Sequence, residues 1–152
     1  MKVSVVLKSF DELTNIELYE VLRLRSEVFV VEQNCIYLDP DGKDLKSHHV
    51  LLYVDGHLAG YSRVLPAGLS YEQVSLGRVL VNPDFRGKGL GNTIVDEAIK
   101  ACYAIFGNVD IKIGAQHHLS KMYQSLGFFP DGEPYDEDGI MHIDMLKVYS
   151  GT

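Results

Sequence analysis

The alternation of apolar and polar residues in the first quarter of the chain predicts a strand followed by a helix. Residues 2–8 are rich in Val and Leu, which is typical of a strand. Thr14 and, three residues later, Glu17 have the form of a helix-capping box. Beyond this box apolar residues recur at helical spacing to about Val30. A polar segment, residues 39–44, then predicts a turn.

The middle of the chain predicts a strand meander and a long helix. Two strand-like runs, residues 49–54 and 57–65, flank the dipeptide Asp55-Gly56, which predicts a β-hairpin. Residues 74–81 supply the next strand. An apolar stripe from Leu90 to Ile105 then predicts a long amphipathic helix, which Gly107 ends.

The last third predicts a strand, a short helix and closing strands. Residues 109–114 read as a strand, and Leu119, Met122 and Leu126 mark a short helix that Gly127 ends. Residues 141–148 alternate as a final strand would. The resulting order, β-α-β-β-β-α-β-α-β-β, predicts an α+β fold with a mixed sheet in a single domain, residues 1–152.

Composition narrows the function classes. A chain of 152 residues is long enough to bury a core, and its net charge of −7 without a basic stripe argues against nucleic acid as a partner. The acidic balance is compatible with a cationic acceptor. Cys35 and Cys102 make no disulfide framework, and no apolar run approaches the length of a signal peptide or membrane span. We therefore expect a cytoplasmic protein without a membrane partner.

A glycine-rich loop follows the strand of residues 74–81 and opens the long helix: Arg86-Gly87-Lys88-Gly89-Leu90-Gly91. Glycines let backbone N–H groups approach a ligand closely, and a helix start favours an anion, so the loop predicts a phosphate site. The dinucleotide fingerprint fails at Asn92 and the P-loop pattern fails at Asn82, since both patterns require glycine there. A purely structural glycine turn is the alternative.

The loop fits the pattern R-x-x-G-x-G, and with it the chain resembles the GNAT acetyltransferase superfamily, whose pyrophosphate loop for acetyl-CoA carries this motif. The flanking residues 79–83 and 123–128 also match the family pattern. Residues 24–33, 77–79, 114–116 and 135–143, together with Arg63, resemble its ElaA-like branch. The resemblance covers essentially the whole chain and implies the GNAT fold, in which two central parallel strands splay apart.

The resemblance implies which residues bind acetyl-CoA. The pyrophosphate would contact Arg86, Gly87, Lys88, Gly89, Leu90, Gly91 and Asn92. The pantetheine arm would insert between the splayed strands, along Val79, Leu80 and Val81, where the N–H of Leu80 or Val81 would stabilise the oxyanion. Gln116 stands where many members have an Asn that contacts the cofactor. The apolar residues of this strand would also be ordinary buried sheet residues.

Two residues are candidates for proton transfer. Tyr123 stands four residues before Gly127, where the family places its general-acid tyrosine, and a phenol with a pKa near ~10 is protonated at neutral pH. The alternative is an amphipathic tyrosine with a buried ring. Glu32 is the first candidate for the base, with His49 and Glu72 behind it, and water could relay the proton instead.

Charged side chains in apolar surroundings are candidates for acceptor binding: Arg63, Arg78, His49 and His142. An arginine can orient a carboxylate on the acceptor, but internal ion pairs of Arg25, Arg63 and Arg78 with Glu32 or Asp144 are the alternative. The adjacent pairs His48-His49 and His117-His118 cannot chelate a metal from a strand, because neighbouring side chains point to opposite faces. We therefore predict no metal.

The predicted function is an N-acetyltransferase that moves an acetyl group from acetyl-CoA directly to a primary amine on a small molecule or peptide. No covalent acyl-enzyme is expected, since Cys35 lies outside any activating motif and Cys102 falls on the helix stripe. The alternatives are a non-catalytic acyl-CoA sensor or interaction module and an acyl-homoserine-lactone-synthase-like acyltransferase. The sequence does not determine the oligomeric state, but by resemblance dimers are common in this family.

Overall fold

The computed structural model describes residues 1–150, and its elements follow the predicted order. The helices are α1 (Asn15–Arg25), α2 (Leu90–Phe106) and α3 (Ser120–Ser125). The strands are β1 (Val3–Ser9), β2 (His48–Val54), β3 (His57–Leu65), β4 (Ser75–Val81), β5 (Ile111–Gln116), β6 (Phe129–Pro130), β7 (Tyr135–Glu137) and β8 (Ile140–Lys147). The predicted fold class is confirmed.

Of the two predicted ends of α1, the structure confirms the start and places the end of the regular helix earlier. The capping box forms, because Thr14 Oγ1 accepts from the Glu17 N–H at 3.1 Å and Glu17 Oε1 accepts from the Thr14 N–H at 2.8 Å. The regular helix ends at Arg25, earlier than predicted, and continues as a π-helical segment, Ser26–Glu32. Periodicity did not reveal this change, because Val28 and Phe29 fit the helical spacing and are also buried in the π-helical segment.

The strands form two four-stranded sheets. The first has the antiparallel order β1-β2-β3-β4, and the second has the order β5-β8-β6, with β7 also paired to β8. Asp55 and Gly56, at φ 50° and 84°, make the predicted turn between β2 and β3, since tight hairpins require left-handed residues there. The short strands β6 and β7 carry no clear pattern and were not predicted separately.

The two sheets meet where β4 and β5 begin and separate beyond that point. Val74 and Ile111 form a parallel bridge, in which the Lys112 N–H donates to the Val74 carbonyl at 2.9 Å. Within residues 1–150, β4 and β5 have no further ladder pairing, so a gap opens between their carboxyl-terminal halves. We call this gap the slot. The predicted splay of the two parallel strands is confirmed.

Two hydrophobic clusters cover opposite faces of the sheets. On one face Ile94, Ala98 and other residues of α2 pack on the strands, and on the other face Val21 and Leu24 of α1 pack against Leu80. Each fully buried aliphatic side chain contributes about 1.5–3 kcal/mol. Alternate residues of β5 face the α2 cluster: Ile111, Ile113 and Ala115. Lys112, Gly114 and Gln116 therefore face the α1 side.

Within the described part of the chain, no helix combines the length and the apolar character needed to cross a membrane.

Candidate active site

The slot widens into a cavity of about 960 Å³ between the two sheets. Its lining includes most of the predicted site residues: Glu32, Arg63, Arg78, Val79, Leu80, Val81, Arg86, Gly87, Gly89, Leu90, Gly91, Gln116, Tyr123 and His142. Lys88, Asn92 and His49 do not line it. The sequence motifs thus converge on one cavity although they are spread over more than a hundred residues of chain.

The glycine-rich loop ends at the first turn of α2 with exposed backbone amides. Gly87 and Gly89 have φ values of 81° and 75°, a left-handed conformation in which side chains other than glycine are strained. Gly89 caps α2, and the amides of Gly87, Lys88 and Gly89 make no hydrogen bond of standard geometry within residues 1–150. Unpaired N–H groups at a helix start can bind an anion such as a phosphate.

The edge of β4 that faces the slot can be identified from its hydrogen bonds. The Asn82 N–H donates to the Ala59 carbonyl at 2.8 Å, on the β3 side. Because successive N–H groups of a strand point to alternate edges, the N–H of Val81 points toward the slot and that of Leu80 toward β3. Of the two predicted oxyanion donors, Val81 has the suitable direction.

Glu32 and Arg86, two predicted site residues, bind each other. The guanidinium of Arg86 donates to both carboxylate oxygens of Glu32, at 2.6 and 2.8 Å. These hydrogen bonds, together with the positive charge, lower the pKa of the Glu32 carboxyl below its ordinary value. Both side chains are exposed to more than a third, so the pair is a weak one that solvent screens.

Tyr123 reaches the cavity from α3. Its ring packs edge-on against Phe128 with centroids 5.8 Å apart, and the residue is 5% exposed. The hydroxyl makes no hydrogen bond within residues 1–150, and burial raises the pKa of the phenol above its ordinary value. A protonated hydroxyl without a protein partner is available to donate to a group in the cavity.

Three arginines and three aspartates form a closed ring of ion pairs beneath the cavity. Arg25 contacts Asp39 and Asp44 at 2.7 Å each, and Arg63 contacts Asp44 at 3.0 Å. Arg63 also contacts Asp41 at 2.7 Å. Arg78 closes the ring through Asp41 at 3.4 Å and Asp39 at 2.9 Å. We call these six residues the arginine–aspartate ring.

The ring corrects the partners that the sequence suggested for the arginines. Neither Glu32 nor Asp144 pairs with Arg25, Arg63 or Arg78, because the polar segment 39–44 folds inward and places its carboxylates between α1 and the strands. A polar run with a Pro and a Gly is typical of a surface turn, so its buried aspartates gave no sequence signal. Arg63 and Arg78 line the cavity, but their charges are already compensated.

His49 was predicted to bind substrate, but the structure places it in the interior, away from the cavity. The side chain is 1% exposed, its Nδ1 lies 2.6 Å from the Tyr61 hydroxyl, and its Nε2 lies 3.0 Å from the Asp44 carbonyl. Burial lowers the pKa of His49 below its ordinary value. In the register of β2 and β3, His49 lies opposite Arg63, in the interior beside the ring. His49 therefore contacts the ring and does not reach the cavity.

Other predicted residues lie on the second sheet and at the cavity mouth. His142 is 3.4 Å from Glu137 through Nε2, and its ring stacks on Tyr135 with centroids 6.0 Å apart. Gln116, at the end of β5, exchanges amide contacts of 3.3 and 3.4 Å with Gln33. Gln33 follows the π-helical segment, so these amides span the slot.

Sequence reasoning missed a group of polar residues on the α1 side of the second sheet. The hydroxyls of Tyr71 and Tyr135 both donate to Asp144 Oδ1, at 3.0 and 2.7 Å. Asp144 pairs with Gly114 in the register of β5 and β8. Tyr71, Tyr135 and Gly114 line the cavity. Only the alternation of β8 could have suggested that Asp144 faces this side.

In the stretch of chain from residue 1 to residue 150, no group of three or more His, Cys, Asp or Glu side chains is placed to hold a metal ion.

The sequence of this chain also matches a known family model. Residues 29–149 match the model of the acetyltransferase (GNAT) domain. The chain belongs to the GNAT acetyltransferase family. ElaA of Escherichia coli is 41% identical to this GNAT protein over 139 residues, which are 90% of this chain and 91% of ElaA.

Solved structures agree with this assignment. The crystal structure of E. coli ElaA matches this GNAT protein with a TM-score of 0.89 at 38% identity, covering 96% of this chain and 99% of that chain. An acyl-CoA N-acyltransferase from Pseudomonas aeruginosa matches with a TM-score of 0.91 at 38% identity, over 97% and 100% of the two chains. An acetyltransferase of Bacillus subtilis in complex with CoA shares the fold, with a TM-score of 0.65 at 23% identity over 98% and 100%. The predicted membership of the ElaA-like branch is confirmed.

Proposed function

We propose that this GNAT protein transfers an acetyl group from acetyl-CoA to a primary amine by direct attack of the amine on the thioester. The observation that carries the proposal is the slot between β4 and β5, which opens toward the unpaired amides of Gly87, Lys88 and Gly89. A diphosphate at these amides would let an extended pantetheine arm enter the slot along the free edge of β4.

The oxyanion would be stabilised by a backbone amide of β4. The Val81 N–H points to the slot edge, as the Asn82 hydrogen bond to β3 implies. A fixed backbone donor stabilises a developing oxyanion without reorganising during the reaction. Since the donor belongs to the main chain, Val79, Leu80 and Val81 contribute through strand geometry.

Tyr123 is our candidate for the general acid. Its hydroxyl is protonated because burial raises the pKa of the phenol, and it has no competing protein partner. When the amine attacks and the carbon–sulfur bond breaks, the phenol would donate its proton to the departing CoA thiolate. The phenolate would then regain a proton from solvent or from the amine's own released proton.

Glu32 is our candidate for the base, provided that cofactor binding separates it from Arg86. In its pair with Arg86 the carboxylate has a lowered pKa and both oxygens are engaged, which makes it a weak proton acceptor. If the pyrophosphate takes over the guanidinium of Arg86, the Glu32 carboxylate is released beside the cavity. Base and cofactor binding would then be coupled, and acetyl-CoA would bind first.

A transfer assay tests the proposal. Acetyl-CoA consumption with a panel of primary amines is measured by thiol release, alongside calorimetric titration of CoA. The proposal predicts CoA binding and amine-dependent thiol release. CoA binding without turnover on any amine would instead favour the sensor alternative, and preference for long acyl chains would favour a homoserine-lactone-synthase-like activity. We retain the cytoplasm as the proposed location, from the cysteine usage and the apolar pattern of the sequence, and a homodimer as a proposed assembly, by family resemblance.

A further inference from the structure

Two tyrosine hydroxyls meet at one carboxylate on the wall of the slot. Tyr71 Oη and Tyr135 Oη donate to Asp144 Oδ1 at 3.0 and 2.7 Å. Both tyrosines line the cavity, whereas Asp144 lies behind them. We call these three residues the tyrosine–aspartate cluster.

The cluster presents hydrogen-bond acceptors to the cavity. Each phenol has one proton, and both protons are used in the bonds to Asp144, so each phenol oxygen offers its lone pairs to a ligand. Burial and the Asp144 charge raise the pKa of Tyr71 to about 12, so its hydroxyl keeps its proton. A group that carries only donors, such as an ammonium, complements such a surface.

Gly114 makes this arrangement possible. A Cβ on Gly114 would lie 2.9 Å from Tyr71 Oη, closer than real Cβ contacts allow, and 3.0 Å from Tyr135 Oη, tighter than most such contacts. The absence of a side chain therefore lets both hydroxyls converge in front of β5. No residue other than glycine allows this convergence without moving the rings.

Acidic and basic side chains both line the cavity around the cluster; the arginines among them, Arg63, Arg78 and Arg86, are paired with carboxylates, and Lys43 also lines the cavity. Glu137 and Asp138 line the same cavity, and both are exposed. Lys112 Nζ lies 5.3 Å from the Tyr71 ring centroid and 3.3 Å from Asp131, and Lys43 Nζ donates to Ser70 at 2.8 Å. Lys112 does not line the cavity, so it leaves the hydroxyls accessible to a ligand.

The depth of the cluster in the slot shows which part of an acceptor could reach it. Counting three residues from the bridge between Val74 and Ile111 places Gly114 level with Gly77. β4 is bulged at Arg78, so Gly77 and Val81 lie opposite Arg63 and Gly60 of β3. At about 3.3 Å per residue along β3, Val81, the oxyanion donor of the proposed function, is roughly 10 Å further along the slot. A group at the cluster is therefore remote from the reacting carbon.

We propose that the tyrosine–aspartate cluster binds a second, distal ammonium of the acceptor, and that the acceptors are long α,ω-diamines or related polyamines. This inference rests on the proposed function for the position of the reacting amine. Asp144 is a positioning residue, because it acts by fixing the direction of the two hydroxyls. The phenol oxygens make the contact with the ammonium.

The test compares hexane-1,6-diamine with hexylamine, which lacks the distal ammonium, as acceptors for acetyl-CoA. We expect the diamine to have a KM at least tenfold lower, at similar kcat. In Tyr135→Phe and Asp144→Asn this advantage should fall to threefold or less, while the KM for acetyl-CoA stays unchanged. Tyr103→Phe, a tyrosine outside the cavity, is the matched control and should keep the full advantage.

Two results would overturn the inference: equal KM values for diamine and monoamine in the wild type, or a diamine advantage that Tyr135→Phe and Asp144→Asn both retain. Direct titration of the CoA-loaded protein with hexane-1,6-diamine separates this inference from the proposed function. Diamine binding that depends on Tyr135, without acetylation of any amine, would support the cluster and contradict the transferase. Acetylation of monoamines with no diamine binding would support the transferase and contradict the role of the cluster.

Discussion

Both carboxylate oxygens of Glu32 accept hydrogen bonds from the guanidinium of Arg86, at 2.6 and 2.8 Å. The pair connects the π-helical segment to the glycine-rich loop at the mouth of the slot. Because Arg86 and Glu32 are 45% and 41% exposed, the pair is easily exchanged for another anion. A diphosphate at the loop would therefore compete with Glu32 for the arginine.

Glu32→Gln should strengthen CoA binding. The substitution removes the competing charge and keeps the side-chain size, and an exposed ion pair is worth about 0.2–1 kcal/mol, so the Kd for CoA should fall by up to about fivefold. The measurement is calorimetric titration with CoA. Glu20→Gln, an exposed acid on α1, is the control. A Kd that rises in Glu32→Gln would contradict competition for Arg86.

Tyr123→Phe should lower kcat by about 10²-fold or more, because general-acid catalysis typically contributes 10²–10⁴-fold. Folding should be unaffected, since the hydroxyl has no partner within residues 1–150. The raised pKa of Tyr123 keeps the phenol protonated, so wild-type kcat should show no alkaline fall from this group below about pH 10. Steady-state rates from pH 6 to 10 test both points. Unchanged kcat in Tyr123→Phe would remove the acid role.

Arg25→Met should destabilise the fold strongly. Arg25 is fully buried, and its loss leaves the Asp39 and Asp44 carboxylates without this partner in the interior. Breaking a buried ion pair in this way costs about 3–5 kcal/mol. Urea unfolding at pH 7 measures the change, with Arg23→Met, an exposed arginine on the same helix, as control. A loss under about 1 kcal/mol would show that the ring contributes little.

Stability should fall with decreasing pH in two steps. Burial lowers the pKa of His49, so the unfolded state binds a proton more readily, and stability is lost as pH falls below the ordinary histidine value of about 6.5. Burial alone would raise the pKa of Asp44, but its bonds to Arg25 lower it, so the contribution of that carboxylate is present above about pH 4 and lost below it. Unfolding free energies from pH 7 to 3 check this order. Constant stability between pH 7 and 5 would contradict the assignment for His49.

Gly114→Ala should disrupt the tyrosine–aspartate cluster while leaving the fold intact. The new methyl would press on the Tyr71 and Tyr135 hydroxyls, which are the far ends of side chains and can move aside. We expect loss of the diamine preference, unchanged CoA affinity and little change in the melting temperature. A diamine preference that survives Gly114→Ala would argue against the cluster.

The sequence predicted the helices, the strands and the glycine-rich loop better than the buried polar contacts. The Thr14 box, the Asp55-Gly56 turn and the stripe of α2 are local patterns, and each formed as expected. The arginine–aspartate ring and the tyrosine–aspartate cluster join residues far apart in the chain, so no local pattern contains them. His49 illustrates the limit, because its burial depends on segment 39–44 folding inward.

A crystal structure of the protein with CoA tests the proposed acetyl-CoA site most directly. We expect the diphosphate within hydrogen-bonding distance of the amides of Gly87, Lys88 and Gly89. Arg86 should turn from Glu32 to a phosphate oxygen, and the pantetheine arm should lie between β4 and β5. CoA bound elsewhere, or a slot closed by pairing of β4 with β5, would contradict the proposed acetyl-CoA site.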